Sequence, residues 1–291
     1  MKKAKVYFTK ELNSEGIIKL YETLGVKLQG RVAVKLHSGE DGNQNFLRPE
    51  FVREMVDYVN GTVVECNTAY EGARYTTEDH EKLMDKHGWT KYFDVDIMDA
   101  EGPDKVLEIP DGIQIKKDYV GKNIDNYDSM LLLSNFKGHP MGGYGGALKQ
   151  LSIGVASRYG KAYIHGAGKS EELWTAPHDA FLESMADAAC AVHNHFNGNI
   201  VYINVMKNMS VDCDCCAVAE DPCLKDIGIL ISTDPIAIDK VCLDLVENSN
   251  DEGKTHFMER VNSRNGKHTI ETALRHGFGT TDYELINIDT L

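Results

Sequence analysis

Short β-rich runs alternate with amphipathic helical patterns along most of this chain, and that alternation constrains the fold more than any other feature. In the first half, the runs at 5–8, 31–36 and 62–66 are separated by stretches with helical periodicity. A strand, a helix and a further strand in succession are typical of a parallel sheet covered on both faces. The sequence therefore predicts an α/β fold with a mixed, mostly parallel sheet and helices on both faces.

The second half continues the same pattern. It predicts a long helix over 177–196, strands at 200–205 and 227–231, and a helix beginning at Asp234 and Pro235, which suit the N-cap and first helical positions. Within residues 100–127, Gly, Pro and Asp separate short apolar pieces. This pattern predicts a hairpin at the edge of the sheet. Trp89 and Trp174 are expected to be packing residues.

The domain prediction follows from the length of the chain and from the alternation of strands and helices in both of its halves. A chain of 291 residues can form one large domain or two modest ones. We predict a single α/β domain over 1–291, with two similar α/β halves, 1–135 and 136–291, as the alternative division.

Charge and hydropathy disfavour several classes of partner. The formal net charge is −14, whereas nucleic acids and anionic membranes are bound by basic faces. We therefore expect no nucleic acid and no membrane as partners. No apolar run is long enough for a transmembrane helix, and the first residues lack the apolar core of a signal peptide. The expected location is cytoplasmic, and the oligomeric state is open.

Four of the seven cysteines lie close together in the segment 211–226, namely Cys213, Cys215, Cys216 and Cys223. Clustered thiolates bind soft or borderline metals, and closing so short a loop costs little entropy. The spacing C-x-C-C-x6-C matches neither a zinc ribbon nor a bacterial ferredoxin. A local disulfide or inert thiols are the alternatives, and a disulfide between near neighbours is strained. The segment therefore predicts a thiolate metal site, with the metal left open.

The other three cysteines, Cys66, Cys190 and Cys242, lie in apolar or helical contexts and are expected in the core.

A glycine-rich segment at 137–149 lies between a strand and a predicted helix, with lysines at both ends. Its amides could hold an anion at a helix N-terminus. The predicted ligand-binding glycines are Gly142, Gly143, Gly145 and Gly146, and the predicted catalytic residues are Lys137, His139 and Lys149. The segment matches neither a P-loop nor a dinucleotide motif. A flexible turn is the alternative interpretation.

Polar segments follow several of the predicted strands, at 37–40, at 67–70, at 137–146 and in the cysteine segment. In parallel sheets, ligands bind beyond the carboxyl ends of the strands. Because these polar segments all follow strands, we predict that they line one shared crevice for a small anionic molecule. His37, Glu40 and Arg74 are its further predicted ligand-binding residues, since His37 directly follows a buried strand.

The sequence resembles the uncharacterised iron–sulfur centre proteins that carry the domain of unknown function numbered 362. The resemblance is carried by residues 34–40, 67–74, 136–149, 226–230 and 234–239, and the glycine–lysine stretch is the most specific part. It implies an iron–sulfur centre. Many members contain an inserted ferredoxin module with two C-x2-C-x2-C-x3-C-P runs, and that module is absent here.

The implied cofactor must therefore be held by the cysteine segment. The four thiolates could hold a [4Fe–4S] cluster or a zinc ion. Adjacent cysteines are awkward joint ligands of one small site, so His37, His139 or Asp214 could take one coordination position. A weaker similarity, to nickel-pincer lactate racemases, is an analogy only, because no motif aligns residue by residue.

Three functional hypotheses follow. The leading one is a cytoplasmic metal-binding protein, with an iron–sulfur centre and a redox partner protein as its finer form. In it, the cysteines lie beside a crevice for a small anionic ligand. The alternative is a non-redox enzyme of the isomerase or transferase type that uses the Gly–Lys–His segment and keeps its cysteines as a structural zinc clip. The third is a metal carrier without turnover.

Overall fold

Residues 3–291 are described by a computed structural model, in which most of the predicted strands are present. In chain order the strands are β1 (Ala4–Thr9), β2 (Val32–Lys35), β3 (Gly61–Glu65), β4 (Val95–Ile97), β5 (Lys105–Glu108), β6 (Lys117–Val120), β7 (Ser129–Asn135), β8 (Lys137–His139), β9 (Gly143–Gly145), β10 (Ile200–Met206), β11 (Gly228–Ser232) and β12 (Tyr283–Asn287).

The helices begin and end at local signals. They are α1 (Ser14–Leu24), α2 (Pro49–Tyr58), α3 (Thr77–Lys86), α4 (Ala147–Ser152), α5 (Arg158–His165), α6 (His178–His195), α7 (Pro235–Glu247), α8 (Lys254–Ser263) and α9 (His268–His276). Gly25 ends α1 in a left-handed conformation with φ of 70°. The Asp234 carboxylate accepts the amides of Ile236 and Ala237 and so caps α7 as predicted.

The main sheet has eight strands in the order β12-β1-β11-β10-β7-β2-β3-β4. Five of its seven neighbouring pairs are parallel, and the other two are antiparallel because β11 runs opposite to both β1 and β10. All the other neighbours in the sheet are parallel. The predicted α/β class with a mostly parallel sheet is confirmed.

Both faces of the sheet are covered, and β7 shows how. Met130 and Leu132 point into one core with α4, α6 and α7, whereas Leu131 and Leu133 point into another with α1 and α2. Because successive side chains alternate between faces, a strand buried on both sides reads as a continuous apolar run. This is why residues 130–133 are all apolar.

Two hairpins lie outside the main sheet. The hairpin predicted within 100–127 exists as β5 and β6, but its predicted place at the edge of the main sheet is wrong, because the two strands form a separate two-stranded sheet. Leu107 and Val120 bury against the helical layer instead of extending the sheet. The strands β8 and β9 form a second hairpin inside the glycine-rich segment.

Within residues 3–291, no helix has the length and apolar character needed to cross a membrane.

Candidate metal and anion site

A cavity of about 360 Å³ lies beyond the carboxyl ends of four parallel strands. It is lined after β2 by His37, after β3 by Arg74, after β7 by His139 and Lys149, and after β10 by Cys215 and Cys216. The segments that follow separate strands in the sequence are thus brought to one place. Such a crevice is the usual ligand site of a parallel α/β sheet.

His139 is buried in the wall of this cavity, and the backbone sets its tautomer. Its Nδ1 accepts the amide of Gly142 at 2.7 Å and that of Met141 at 3.1 Å. The ring proton therefore lies on Nε2, which is 3.7 Å from the Cys215 sulfur. Burial, helped by the charge of Lys149, lowers the pKa of His139 well below its usual value. His139 is a neutral N–H donor toward the sulfur.

His37 and His165 are half-buried and also neutral, but their free nitrogens differ. His37 Nδ1 accepts the Gly39 amide at 3.0 Å, which leaves the proton on Nε2. His165 Nδ1 lies 2.7 Å from the Lys161 carbonyl oxygen, so Nδ1 carries the proton and Nε2 is a bare acceptor. Burial lowers the pKa of His37 well below its usual value and that of His165 to about 4. The cavity wall therefore contains histidines of both tautomers.

Two ammonium groups of the cavity have no carboxylate partner within residues 3–291. Lys149 Nζ lies 3.8 Å from the Cys213 sulfur, and burial, with the nearby charge of Arg74, lowers the pKa of Lys149 to about 8. Lys161 Nζ donates to the carbonyl oxygens of Ala156 at 2.6 Å and Cys66 at 3.4 Å. Both groups line the cavity.

The other two cations of the cavity wall are neutralised. Lys35 Nζ is 2.6 Å from a carboxylate oxygen of Glu65, and both side chains are buried. The Arg74 guanidinium donates twice to one oxygen of Glu40, at 3.0 and 3.1 Å. The paired charges cancel, and the cavity is left electropositive by Lys149 and Lys161. Buried charges without partners are costly, so an anionic ligand would relieve them.

The helix that carries Lys149 is held by Asp239 of α7. The Asp239 carboxylate accepts the amides of Ala147 at 2.7 Å and Leu148 at 3.0 Å, and the Asn204 amide at 2.8 Å. Burial raises the pKa of Asp239 to about 6. The N-terminus of α4, predicted as an anion site, thus already holds an anion of the protein itself.

The four glycines predicted as ligand contacts let the backbone approach its neighbours. A Cβ at Gly146 would lie 2.3 Å from Asp239 Oδ1, and Gly143 has φ of 78° and packs against Gly266. The Gly142 amide is taken by His139, and Gly145 borders a small cavity of about 30 Å³ beside Cys213. Contact of their amides with a ligand stays a prediction.

Lys137 lies outside the main cavity and fixes the cysteine segment. Its ammonium is 3.0 Å from Asp214 Oδ1 and donates to the carbonyl oxygens of Asn45 at 2.7 Å and Asn208 at 3.3 Å. Burial lowers the pKa of Lys137, against the opposing charge of Asp214. All three ammonium hydrogens are used, which makes Lys137 an anchor, and its predicted catalytic role stays a prediction.

The cysteine segment contains the disulfide that the sequence disfavours. Cys213 and Cys215 are bonded to each other, with Cα atoms 5.3 Å apart, a separation that disulfides tolerate. Cys216 is free and half-buried, and Cys223 lies apart, its thiol donating to the Met209 carbonyl oxygen at 3.4 Å. The turn between Cys213 and Cys215 brings their sulfurs together.

The same two sulfurs belong to a group with metal-binding geometry. The ligand atoms of His139, Cys213 and Cys215 all lie within 4.8 Å of one another. Around a tetrahedral zinc ion with Zn–S of about 2.3 Å, ligand atoms are separated by roughly 3.8 Å. The three donors therefore have the spacing for a single ion, which requires reduced cysteines and a His139 ring released from the amides of Met141 and Gly142, so that the ring proton can move to Nδ1 and free Nε2. Cys216 and Cys223 are outside this group, and a metal centre that includes them stays a prediction.

Sequence reasoning missed several residues of the cavity. Lys161 lies on α5, a helix that the sequence analysis did not predict. Lys35 and Glu65 end buried strands, and a charge in an otherwise apolar run was the signal that could have revealed them. The packing role expected of Trp174 is wrong, because that side chain is 59% exposed at the cavity, whereas Trp89 is fully buried.

The family model of the domain of unknown function (DUF362) matches residues 32–244. This chain belongs to the DUF362 family. The matched residues of the DUF362 domain include the segments that form the cavity, from His37 to Cys216. No curated protein matches the chain.

Solved structures resemble the DUF362 chain over about two thirds of its length. The lactate racemase apoprotein from Thermoanaerobacterium thermosaccharolyticum is 15% identical, with a TM-score of 0.39, over 68% of this chain and 50% of its own. A structural-genomics protein from Thermotoga maritima is 12% identical, with a TM-score of 0.38, over 66% and 49%. The DUF362 chain spans about half the length of these proteins. At such identities and TM-scores, the likeness says nothing about the chemistry of the site.

Proposed function

We propose that this DUF362 protein binds a small anionic molecule in its main cavity, beside a thiolate–imidazole site for a single soft or borderline metal ion. One observation carries the proposal. The ligand atoms of His139, Cys213 and Cys215 converge within 4.8 Å. The ammonium of half-buried Lys149, which has no carboxylate partner among residues 3–291, lies 3.8 Å from one of the sulfurs.

The anionic ligand is supported by the charge balance of the cavity. Lys149 and Lys161 contribute two cations that no carboxylate of the described chain, residues 3–291, neutralises. Met141, Ile153 and Leu173 contribute apolar walls. A carboxylate with a short apolar body matches this combination, because the acid group would pair with the ammonium groups while the body buries apolar surface.

The metal is supported by the donor set. Thiolate and imidazole together favour soft or borderline ions such as zinc. A bound ion would supply a Lewis acid that polarises an oxygen of a neighbouring ligand. Lys149 would hold the anion in place, and the two sulfurs must be reduced for this site to form. An iron–sulfur centre on all four clustered cysteines is the finer alternative suggested by the family resemblance.

Metal analysis with matched cysteine variants tests the proposal. Protein purified anaerobically with a thiol reductant is expected to contain about one metal ion per chain by elemental analysis. Cys213→Ser and Cys215→Ser should each lose it, whereas Cys223→Ser, a change in the same segment but outside the group, should retain it. Loss of iron and of a visible absorption band in Cys223→Ser would instead support the four-cysteine cluster. Metal-free reduced protein would overturn the metal site.

Anion binding is tested separately by calorimetry with succinate and inorganic phosphate, with succinamide as the uncharged control. Lys149→Met is expected to weaken succinate binding about tenfold or more, which corresponds to roughly 1.4 kcal/mol. Lys169→Met removes an exposed lysine paired with Glu172 and should leave the affinity unchanged. Equal binding of succinate and succinamide would contradict the anion site.

Proton-transfer catalysis is a second candidate, favoured by the two histidine tautomers. His139 offers an Nε2 proton and His165 a bare Nε2, and both line the same cavity. Such a pair could donate and accept protons at a carbon next to a carboxylate, as an isomerase requires. In D₂O, methyl-proton exchange of pyruvate should then be accelerated by the protein and lost in His165→Gln. Exchange at the buffer rate in both proteins would exclude this chemistry for pyruvate.

A further inference from the structure

A second cluster of reactive side chains lies apart from the main cavity, where α6, α9 and the segment after β5 meet. A cavity of about 470 Å³ is found there, and it shares no lining residue with the main one. Its walls include Cys190 and Asn194 of α6 and His276 of α9. The sequence interpretation placed Cys190 in the core, and neither the metal site nor the anion site uses any of these residues.

Asp187 holds the imidazole of His276 in a fixed orientation. The carboxylate of Asp187 lies 2.6 Å from His276 Nε2, and both side chains are almost fully buried. Asp187 also accepts the amides of Ile113 at 2.8 Å, Gln114 at 2.7 Å and Ile115 at 2.8 Å. Because four donors fix the carboxylate, the histidine that it holds has little freedom to turn away.

Cys190 follows Asp187 by three residues on α6, so the two side chains share one face of the helix. The hydrogen bond to Asp187 and the contact with the Cys190 thiol raise the pKa of His276 to about 9, so the ring is an imidazolium at neutral pH. The Asn194 amide is 3.4 Å from the Cys190 sulfur. A sulfur beside an imidazolium and an amide donor has two neighbours that can stabilise negative charge developing on it.

We propose that Cys190, His276 and Asp187 form a nucleophilic thiol site in which Cys190 accepts an acyl group from a small thioester. The Cys190 sulfur forms a bond to the acyl carbon, and the carbon–sulfur bond of the donor breaks. The departing thiolate takes a proton from the imidazolium of His276. Asp187 positions the ring throughout.

The acyl group is then released from Cys190 by hydrolysis. Water attacks the acyl carbon, neutral His276 accepts its proton, and Cys190 leaves as the thiolate, which regenerates the starting state with a free carboxylic acid. No oxidant or reductant is needed.

The walls of this cavity indicate what kind of acyl donor fits. Ile109, Pro110 and Ile113 form an apolar side, which suits a short apolar acyl chain. Apart from Asp187, which bonds to the ring, the charged residues at this cavity are Arg275 on the helix of His276, and Glu108 and Asp111 on the facing segment. The two acidic side chains disfavour a strongly anionic donor, so a small neutral thioester is the expected class.

The other core cysteines are internal references for this chemistry. Cys242 is fully buried and has an amide donor, Asn204 at 3.4 Å, but no histidine among the described residues is bonded to it. Cys66 donates to the Val155 carbonyl oxygen at 3.2 Å. Burial raises the pKa of both thiols. Neither residue lines the second cavity, so both thiols should react slowly with a thioester.

Acylation of the full-length protein by S-acetyl-N-acetylcysteamine at pH 7 tests the proposal, with occupancy at each cysteine followed by peptide mass spectrometry. Cys190 is expected to be acetylated at least about tenfold faster than Cys66 or Cys242. His276→Gln should slow Cys190 about tenfold or more, in line with loss of a proton donor. His268→Gln is the matched control, since His268 lies on the same helix and contacts Glu183 of α6, and it should react at the wild-type rate.

Two results would overturn the proposal. One is acetylation of Cys190 in the wild-type protein no faster than that of Cys242, a comparison that needs no variant to fold. The other is a folded His276→Gln protein, verified by its thermal transition, that reacts as fast as His268→Gln. Asp187→Asn tests the positioning of His276 separately from proton transfer. It leaves the His276 ring in place but removes the carboxylate that orients it, and it should slow the acetylation of Cys190.

Discussion

Asp239 connects two segments that are far apart in the sequence. Its carboxylate binds the amides that open α4 and the side-chain amide of Asn204. A carboxylate at a helix N-terminus is stabilised by the helix dipole and by the free amides. The contact is close enough to exclude a side chain at Gly146. A single carboxylate thereby sets the position of the helix that carries Lys149.

Gly146→Ala is therefore expected to destabilise the protein. The new methyl group would lie 2.3 Å from Asp239 Oδ1, which would force the carboxylate away from the amides that it caps. We expect the free energy of unfolding, measured by urea denaturation, to fall by about 1–3 kcal/mol. Gly72→Ala is the control, because its Cβ would meet no atom within 4 Å. Equal stability of the two variants would show that α4 tolerates a displaced Asp239.

At the level of elements, the cysteine segment is fixed from three sides although it contains no helix or strand. Lys137 of β8 pairs with Asp214, and Arg260 of α8 pairs with Asp212 at 2.9 Å. The Asn43 amide donates to the carbonyl oxygens of Cys213 and Cys216. These contacts hold the sulfurs against the cavity before any metal binds.

Lys137→Met should release this segment. Removing the ammonium leaves Asp214 buried without its cation, which costs about 3–5 kcal/mol when the partner stays charged. We expect a lower unfolding free energy and faster hydrogen exchange over 208–216, measured by mass spectrometry. Lys82→Met removes an exposed ion pair with Glu78, worth about 0–1 kcal/mol, and should change neither. Unchanged exchange in Lys137→Met would contradict the anchoring role.

In the whole molecule, the sign of the charge differs between the surface and the main cavity. The chain has a net charge of −14, yet its main cavity holds two ammonium groups that have no carboxylate partner in the part of the chain that the structure describes. The surface therefore repels small anions at long range while the cavity attracts them at short range. Salt should ease their entry, because it screens the exposed charges more than the buried ones. Trp174 marks the cavity mouth, and Trp89, the other tryptophan, is buried in the opposite core.

Fluorescence quenching by acrylamide, which is uncharged, should report on this mouth. We expect two components in the wild-type protein, because Trp174 is 59% exposed and Trp89 is 0% exposed. Trp174→Phe should remove the easily quenched component, and Trp89→Phe should retain it. Succinate should protect Trp174 if it fills the cavity. Quenching of Trp174→Phe as strong as that of the wild type would mean that the mouth lies elsewhere.

The sequence by itself determined the class of fold and the segments that meet at the cavity. Periodicity and capping are local, so the parallel sheet, the helix that begins at Pro235 and the end of α1 at Gly25 could be predicted from neighbouring residues. The rule that polar segments gather beyond strand ends then indicated His37, Arg74, His139, Lys149 and the cysteine segment. The division of the chain near residue 135 stays a prediction.

Only the tertiary structure decided how these groups are paired. The reversal of β11, the bond between Cys213 and Cys215, and the ion pair of Lys137 with Asp214 depend on contacts that periodicity does not encode. The same holds for the contact of His276 with Asp187, two residues 89 positions apart. A side chain's charge and tautomer depend on which neighbours desolvate it or bind its protons. Those neighbours come from distant parts of the chain, and folding alone brings them together.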